Sequence, residues 1–154
     1  MIRTGYLTPK QLTFWSLRRQ GLTQAEVSRK VGVTPQTTNK TLNAIDAKIY
    51  RALTDAAELH RLDIRRMDLE KGFLLGYSST WKTEALVTFS AANGVQVWYK
   101  GEGDCDECTK LESCRQTLIK ESEERGIPLP REKAKVSPSQ LADNIFKTIL
   151  EGSK

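Results

Sequence analysis

The sequence predicts an α+β protein: an N-terminal helix-turn-helix unit of three helices with a long third helix, then a small antiparallel sheet with C-terminal helices. Three observations predict this fold class: closely spaced helix-start signals before residue 36, an uninterrupted helical periodicity after them, and short alternating segments between residues 73 and 100. We expect residues 1–61 to form the helical unit with its extended helix. Residues 62–154 are expected to form a small α+β domain that carries a cysteine cluster.

Length and composition are those of a globular protein. The chain has 154 residues, of which 38% are hydrophobic and 28% charged, so enough apolar surface is present to offset the loss of chain entropy. No run of about 18 apolar residues occurs, and the first ten residues lack the apolar region of a signal peptide. We therefore expect a cytoplasmic protein with no membrane partner.

Positive charge is concentrated in the N-terminal segment. Residues 1–61 contain ten Lys and Arg against four Asp and Glu, whereas residues 62–154 contain fourteen against fifteen. A basic, compact segment beside a nearly neutral remainder is typical of a protein that binds a polyanion. A basic face that only contacts solvent is the alternative.

The first helix is expected to begin after Thr8, which is followed by Pro9 at the first helical position. Gln11 stands three residues after Thr8, where its side chain can complete a capping box. Gly21 is the predicted end of this helix, since glycine readily adopts the conformation that terminates helices.

The same pattern then occurs twice more. Thr23 and Glu26 predict the start of a second helix, and Gly32 predicts its end. Thr34 and Pro35 predict the start of a third. Three helix starts at this spacing leave room only for two short helices and tight turns, as in a compact three-helix unit.

The third helix is expected to be long, because no Gly or Pro follows Pro35 before residue 67. Apolar residues recur along it at alternating spacings of three and four, which is a heptad pattern. The pattern predicts either a homodimer formed through this helix or packing of the helix against its own domain. Its members are Leu42, Ile45, Ile49, Ala52, Ala56 and Leu59.

Strands are predicted in the middle of the chain, in "FLLGYSS" (73–79), "EALVTFS" (84–90) and "VQVWYK" (95–100). Asn93-Gly94 between the last two is a turn signal. Helices are predicted over 107–125, ended by Gly126, and after Ser137. The final helix is expected to bury Leu141, Ile145 and Ile149.

The second helix of a helix-turn-helix enters the major groove and presents its first turns to base edges. Gln and Asn can bond to adenine, a Thr methyl group can contact thymine, and Lys can reach guanine or phosphate. The expected base-reading residues are Gln36, Thr37, Asn39 and Lys40. The expected phosphate contacts, which set affinity and register, are Arg18, Arg19, Arg29 and Lys30.

The stretch "LTPKQLTFWSLRRQGLTQAEVSRKVGVTP" resembles, without a gap, the helix-turn-helix of LuxR-type and sigma-region-four-type regulators, and most closely that of the archaeal Tfx family. The shared features are "LT" at the first helix, "GLTQAE" at the second and "VGVT" at the turn. The resemblance covers residues 5–55 and implies a transcriptional regulator that binds double-stranded DNA in a sequence-specific way. From the heptad pattern we further expect a homodimer. The alternative is a three-helix unit that contacts another protein.

All three cysteines, Cys105, Cys108 and Cys114, lie within "GDCDECTKLESC". Thiolates at this spacing can bind zinc or an iron–sulfur cluster, with a fourth ligand supplied by a carboxylate, by His60 or by another molecule. A redox-active thiol pair is a second interpretation. The third is structural, because Cys114 falls on the apolar face of a predicted helix, where cysteine is commonly a small core residue.

The sequence carries no enzyme signature. It contains one His, no G-x-S-x-G, no phosphate-binding loop and no dinucleotide fingerprint, so we do not expect an enzyme. Trp81, Trp98 and Tyr99 could line a ligand pocket, although aromatic residues in short strands usually belong to the core.

Overall fold

The structure is a computed structural model that describes residues 7–101, 109–131 and 136–151. It is an α+β fold with five helices and one four-stranded antiparallel sheet in these ranges. The helices are α1 (Pro9–Arg19), α2 (Gln24–Val31), α3 (Pro35–Leu59), α4 (Leu111–Arg125) and α5 (Pro138–Glu151). The strands are β1 (Leu62–Asp68), β2 (Phe73–Ser78), β3 (Thr83–Ser90) and β4 (Gly94–Tyr99). No helix in these ranges is long and apolar enough to cross a membrane.

The three predicted caps form at the starts of α1, α2 and α3. At α1 the capping box is complete, because the Gln11 amide donates to the Thr8 hydroxyl at 3.2 Å and the Thr8 amide donates to Gln11 Oε1 at 3.0 Å. Thr23 and Thr34 each accept a hydrogen bond from the amide three residues later. At α2 the Glu26 carboxylate accepts from the Thr23 hydroxyl at 3.0 Å, so the predicted return bond to the Thr23 amide is replaced by a bond between the side chains.

The heptad pattern of α3 packs within the chain over most of its length. Ile45, Ile49 and Ala52 are fully buried and Leu42 is nearly so, whereas Leu59, the last member, is 81% exposed. The packing interpretation is therefore correct for these four buried positions. A dimer interface along them is excluded by their burial in this fold.

The four strands form a meander in the order β1-β2-β3-β4, with every neighbouring pair antiparallel. Strands β2, β3 and β4 confirm the predicted segments to within one residue at each end. Strand β1 was not predicted. It lies at the sheet edge, and Asp63, Ile64 and Arg65 are exposed, so the strand lacks the alternation of buried and exposed residues that marks a half-buried strand. A register shift between Ile64 and Arg66 interrupts its pairing further.

The sheet is the middle layer between two sets of helices, and a separate apolar core lies on each face. The first core joins α1, α2 and α3 to one face through residues that include Trp15, Ile49, Val87 and Phe89. The second joins α4 and α5 to the other face, with Phe73, Leu86, Leu118, Leu141, Ile145 and Ile149 buried in it. Because both faces are covered, six consecutive residues of β3 are buried.

The C-terminal helices follow the sequence prediction closely. Helix α5 buries the three predicted residues, Leu141, Ile145 and Ile149. Helix α4 begins at Leu111, after a turn at residues 109 and 110, and ends at Gly126 in the left-handed conformation with φ 66°. The predicted start of this helix, at residues 107–108, lies outside the described residues.

Candidate nucleic-acid interface

The first two turns of α3 present a polar face to solvent. Gln36, Asn39 and Lys40 are exposed, and their spacing of three and four residues places them on one side of the helix. Thr37 is half-buried, and its hydroxyl lies 3.0 Å from the hydroxyl of the N-cap residue Thr34. Three of the four predicted base-reading residues are therefore on a common accessible face, and the fourth also contacts the helix cap.

A buried hydroxyl pair fixes this part of α3 against α2. Ser28 Oγ lies 2.7 Å from Thr38 Oγ1 and 2.9 Å from the carbonyl oxygen of Gln24. Ser28 is 4% exposed and Thr38 is fully buried. Since each hydroxyl has one proton, both contacts are satisfied when Thr38 donates to Ser28 and Ser28 donates to the carbonyl. The bond sets the position of α3 relative to α2 at the turn between them.

Arg29 and Lys30 lie in the last turn of α2, and both are exposed. The turn that follows contains Gly32 in the left-handed conformation with φ 79°, which ends α2 and lets α3 begin at Pro35. The two cations therefore lie just before the exposed face of α3. They are available to an anionic partner.

A shallow groove runs between the start of α1 and the first turns of α3. It is lined by Thr8, Lys10, Gln11, Thr37, Lys40, Thr41 and Ala44. Lys10, which the sequence did not single out, is exposed and adds a second lysine to this groove. A lysine in the first turn of a helix carries no pattern that distinguishes it from any solvated cation, so only the packing of α1 against α3 reveals its position.

Arg18 and Arg19 do not join this surface. Arg18 Nη2 lies 2.7 Å from Asp46 Oδ1, and the Arg18 side chain is 13% exposed. The Arg19 side chain is 9% exposed, and its guanidinium donates to the carbonyl oxygens of Lys71 at 2.9 Å and Phe89 at 3.3 Å. The expectation that both bind phosphate finds no support in this geometry, because both guanidinium groups are already engaged within the fold.

The Arg19 guanidinium also stacks over the Trp15 ring at 4.4 Å. Burial and then the neighbouring Arg125 guanidinium lower the pKa of Arg19 to about 10. The group therefore remains protonated at neutral pH and donates to both carbonyl oxygens. Arg19 is therefore a structural cation that joins α1 to the sheet.

Arg125 approaches the same carbonyl oxygens from α4. It donates to Lys71 O at 2.6 Å and to Phe89 O at 3.3 Å, and its Nε lies 3.0 Å from Glu121 Oε1. Glu124, one residue before Arg125, accepts from the Ala91 amide at 2.8 Å, and burial raises the pKa of its carboxyl group. This network connects α1, the sheet and α4.

The predicted metal ligands are described only in part. Cys105 and Cys108 lie outside the described residues, whereas Cys114 is half-buried in α4 and packs against the second core. Within the described part of the chain, no group of three or more His, Cys, Asp or Glu side chains could hold a metal ion. The packing of Cys114 agrees with a structural role for this one residue and leaves the metal hypothesis as a prediction.

No family model, curated protein or solved structure matches the chain. The likeness of residues 5–55 to LuxR-type and Tfx-like regulators therefore rests on the quoted motifs alone. The geometry and charge of α1, α2 and α3 carry the functional proposal.

Proposed function

We propose that this chain is a sequence-specific DNA-binding transcriptional regulator that reads double-stranded DNA through a helix-turn-helix formed by α2 and α3. The observation that carries the proposal is the exposed polar face of α3, made by Gln36, Asn39 and Lys40 directly after a tight, capped turn. An α-helix fits the major groove of B-DNA, and these side-chain types can hydrogen-bond to base edges there.

The charges around this face suit a duplex. Arg29 and Lys30 at the end of α2 would contact phosphates on one side of the inserted helix, and Lys10 at the start of α1 would reach a phosphate on the other. The Asp46 carboxylate of α3 offers little opposition, because it is paired with Arg18. Arg18 and Arg19 are left out of the proposed contact surface.

We further propose that the chain acts in the cytoplasm and reads two half-sites as a homodimer, as helix-turn-helix dimers do. The dimer interface would have to lie outside Leu42, Ile45, Ile49 and Ala52, since these residues are buried within the chain.

Two variants separate base reading from phosphate contact. Gln36→Ala should remove a base contact worth roughly 1–3 kcal/mol and relax discrimination at one base pair. Lys30→Ala should weaken binding to all sequences alike and make the salt dependence shallower by about one ion. The measurement is the fluorescence anisotropy of labelled cognate and scrambled duplexes as each variant is added, at several salt concentrations. The cognate sequence would first be selected from a random duplex library.

Lys82→Ala is the matched control, because Lys82 is an exposed lysine in the turn between β2 and β3. This turn lies near the C-terminal end of α3 and away from its first turns, since Ser78 pairs with Leu62. It should change neither affinity nor salt slope. Wild-type protein that binds no duplex at low salt would reject the proposal. Equal effects of Lys30→Ala and Lys82→Ala would also reject it, and a protein-binding three-helix unit would then be the better explanation.

A further inference from the structure

Besides the shallow groove between α1 and α3, a second cavity lies on the opposite side of the sheet from α3. It has a volume of about 310 Å³ and lies between α5 and the sheet face that carries the second core, open to solvent on one side. Its apolar lining includes Leu75, Leu86, Trp98, Phe146 and Leu150. Small-molecule sites are typically mostly apolar cavities of roughly 300–1,000 Å³ with a few polar groups.

The two aromatic walls are held in place yet remain partly exposed. The Trp98 and Phe146 rings are 5.6 Å apart and inclined at 52°. The Trp98 indole Nε1 donates to Thr88 Oγ1 at 3.1 Å, which fixes its orientation. Leu86 beneath them is 3% exposed, but both rings are only half-buried. The cavity therefore leaves preorganised aromatic surface accessible, which is a common feature of sites for apolar ligands.

Charged side chains of both signs line the same cavity. Glu84 and Lys100 come from β3 and the end of β4, and Asp143 and Lys147 lie one turn apart on α5. Glu84, Lys100 and Asp143 form no ion pair within 4.0 Å with any residue in the described ranges. Lys147 makes only a 4.0 Å contact with Glu151, in which both side chains are largely exposed. Two acids and two bases are thus available around an aromatic cavity.

We propose that this cavity binds a free aromatic amino acid, or a small molecule of the same chemistry. The ring would occupy the apolar space beside Trp98 and Phe146. The carboxylate would meet Lys100 or Lys147, and the ammonium group would meet Glu84 or Asp143. A neutral zwitterion matches a rim that carries equal numbers of both charges, and one charge-assisted hydrogen bond to its ammonium group and one to its carboxylate orient it. This inference concerns ligand binding alone and holds whether or not the chain binds DNA.

Isothermal titration calorimetry of the full chain with four probes tests the proposal. The probes are L-tryptophan, indole-3-acetate, tryptamine and indole, which carry both charges, the carboxylate alone, the ammonium alone and neither. L-tryptophan should bind at least about tenfold more tightly than either singly charged probe, because each of those loses one charge-assisted hydrogen bond. The absence of any heat of binding with L-tryptophan at concentrations on the order of 1 mM would overturn the proposal. Equal affinity for L-tryptophan and indole would overturn it too.

Two double variants assign the charges. Lys100→Gln with Lys147→Gln should weaken L-tryptophan and indole-3-acetate but not tryptamine, and Glu84→Gln with Asp143→Asn should weaken L-tryptophan and tryptamine but not indole-3-acetate. All four residues are exposed, so the variants should fold normally. Lys82→Gln is the control, with no expected change. If both double variants bind L-tryptophan as the wild type does, the charged rim has no role and the proposal fails.

Discussion

At the scale of single residues, the buried bond between Ser28 and Thr38 makes a direct prediction. Ser28→Ala leaves the Thr38 hydroxyl buried without its partner, and an unsatisfied buried hydroxyl costs about 1–3 kcal/mol. We expect the free energy of unfolding to fall by that amount. Urea denaturation followed by circular dichroism measures it.

The double variant Ser28→Ala with Thr38→Val is the control for that experiment. It replaces both hydroxyls by apolar groups of similar shape, which can be nearly neutral for stability. The effect of Ser28→Ala should therefore shrink when Thr38 is already Val. If Ser28→Ala costs the same in both backgrounds, the two hydroxyls are not coupled and the bond does not hold α2 against α3.

The cysteines make a second prediction at this scale. If Cys105, Cys108 and Cys114 bind zinc or an iron–sulfur cluster, protein purified without oxygen should contain close to one ion or cluster per chain. Cys108→Ser should then lose it together with stability, because metal binding is coupled to folding. Elemental analysis measures the metal content, thiol titration measures the free thiols, and urea denaturation measures the change in stability. Three reactive thiols with no metal would instead favour the structural or redox interpretations.

Arg19 illustrates what the sequence could not predict about individual residues. The caps of α1, α2 and α3 were predictable because each depends on residues within four positions of one another. The burial of Arg19 depends on carbonyl oxygens 52 and 70 residues away. Arg18 and Arg19 are adjacent in a basic segment. Nothing in the local sequence indicates that Arg18 pairs with Asp46 and that Arg19 is buried between α1 and the sheet.

At the scale of elements, α3 should not tolerate a charge at the buried positions of its heptad pattern. Ile49→Asp removes a fully buried side chain, worth roughly 2–5 kcal/mol, and also buries a carboxylate without a partner. We expect a loss of about 4 kcal/mol or more and a largely unfolded protein at 37 °C. Thermal melting followed by circular dichroism measures the loss.

Leu59→Asp tests the other end of the same heptad pattern. Leu59 is 81% exposed, so its substitution should change stability by no more than about 0.5 kcal/mol. Analytical ultracentrifugation of both variants completes the comparison. If the wild-type protein is a dimer and the Ile49→Asp variant is a folded monomer, the heptad pattern does not pack within the chain.

Strand β1 shows why one element was missed. Strands β2 and β3 are covered by helices on both faces, so they are rich in apolar residues that a sequence reveals. Strand β1 lies at the edge, has three consecutive exposed residues and contains a register shift. Charged residues on an edge strand discourage pairing with another chain, but they also remove the alternation by which strands are recognised.

At the scale of the whole molecule, the shared core predicts a single unfolding transition. The first core contains residues from both 1–61 and 62–154, including Trp15 packed edge-on against Phe89 with ring centres 5.4 Å apart. Two segments that complete one core should unfold together. We expect the urea transitions measured by far-ultraviolet and near-ultraviolet circular dichroism to coincide. The isolated segment 1–61 should unfold at a much lower urea concentration than the full chain. Two separated transitions would show that the segments are independent domains.

The three tryptophans occupy three different solvent environments. Trp15 is 1% exposed between α1 and the sheet, Trp98 is half-buried beside the second cavity, and Trp81 is 69% exposed in the turn between β2 and β3. An indole in water emits at longer wavelength than one enclosed by side chains, and only the former is readily reached by a dissolved quencher such as iodide. The natural fluorescence of the protein can therefore report on two sites separately without any attached label. Trp15 reports on the packing of α1 against the sheet, and Trp98 reports on the second cavity.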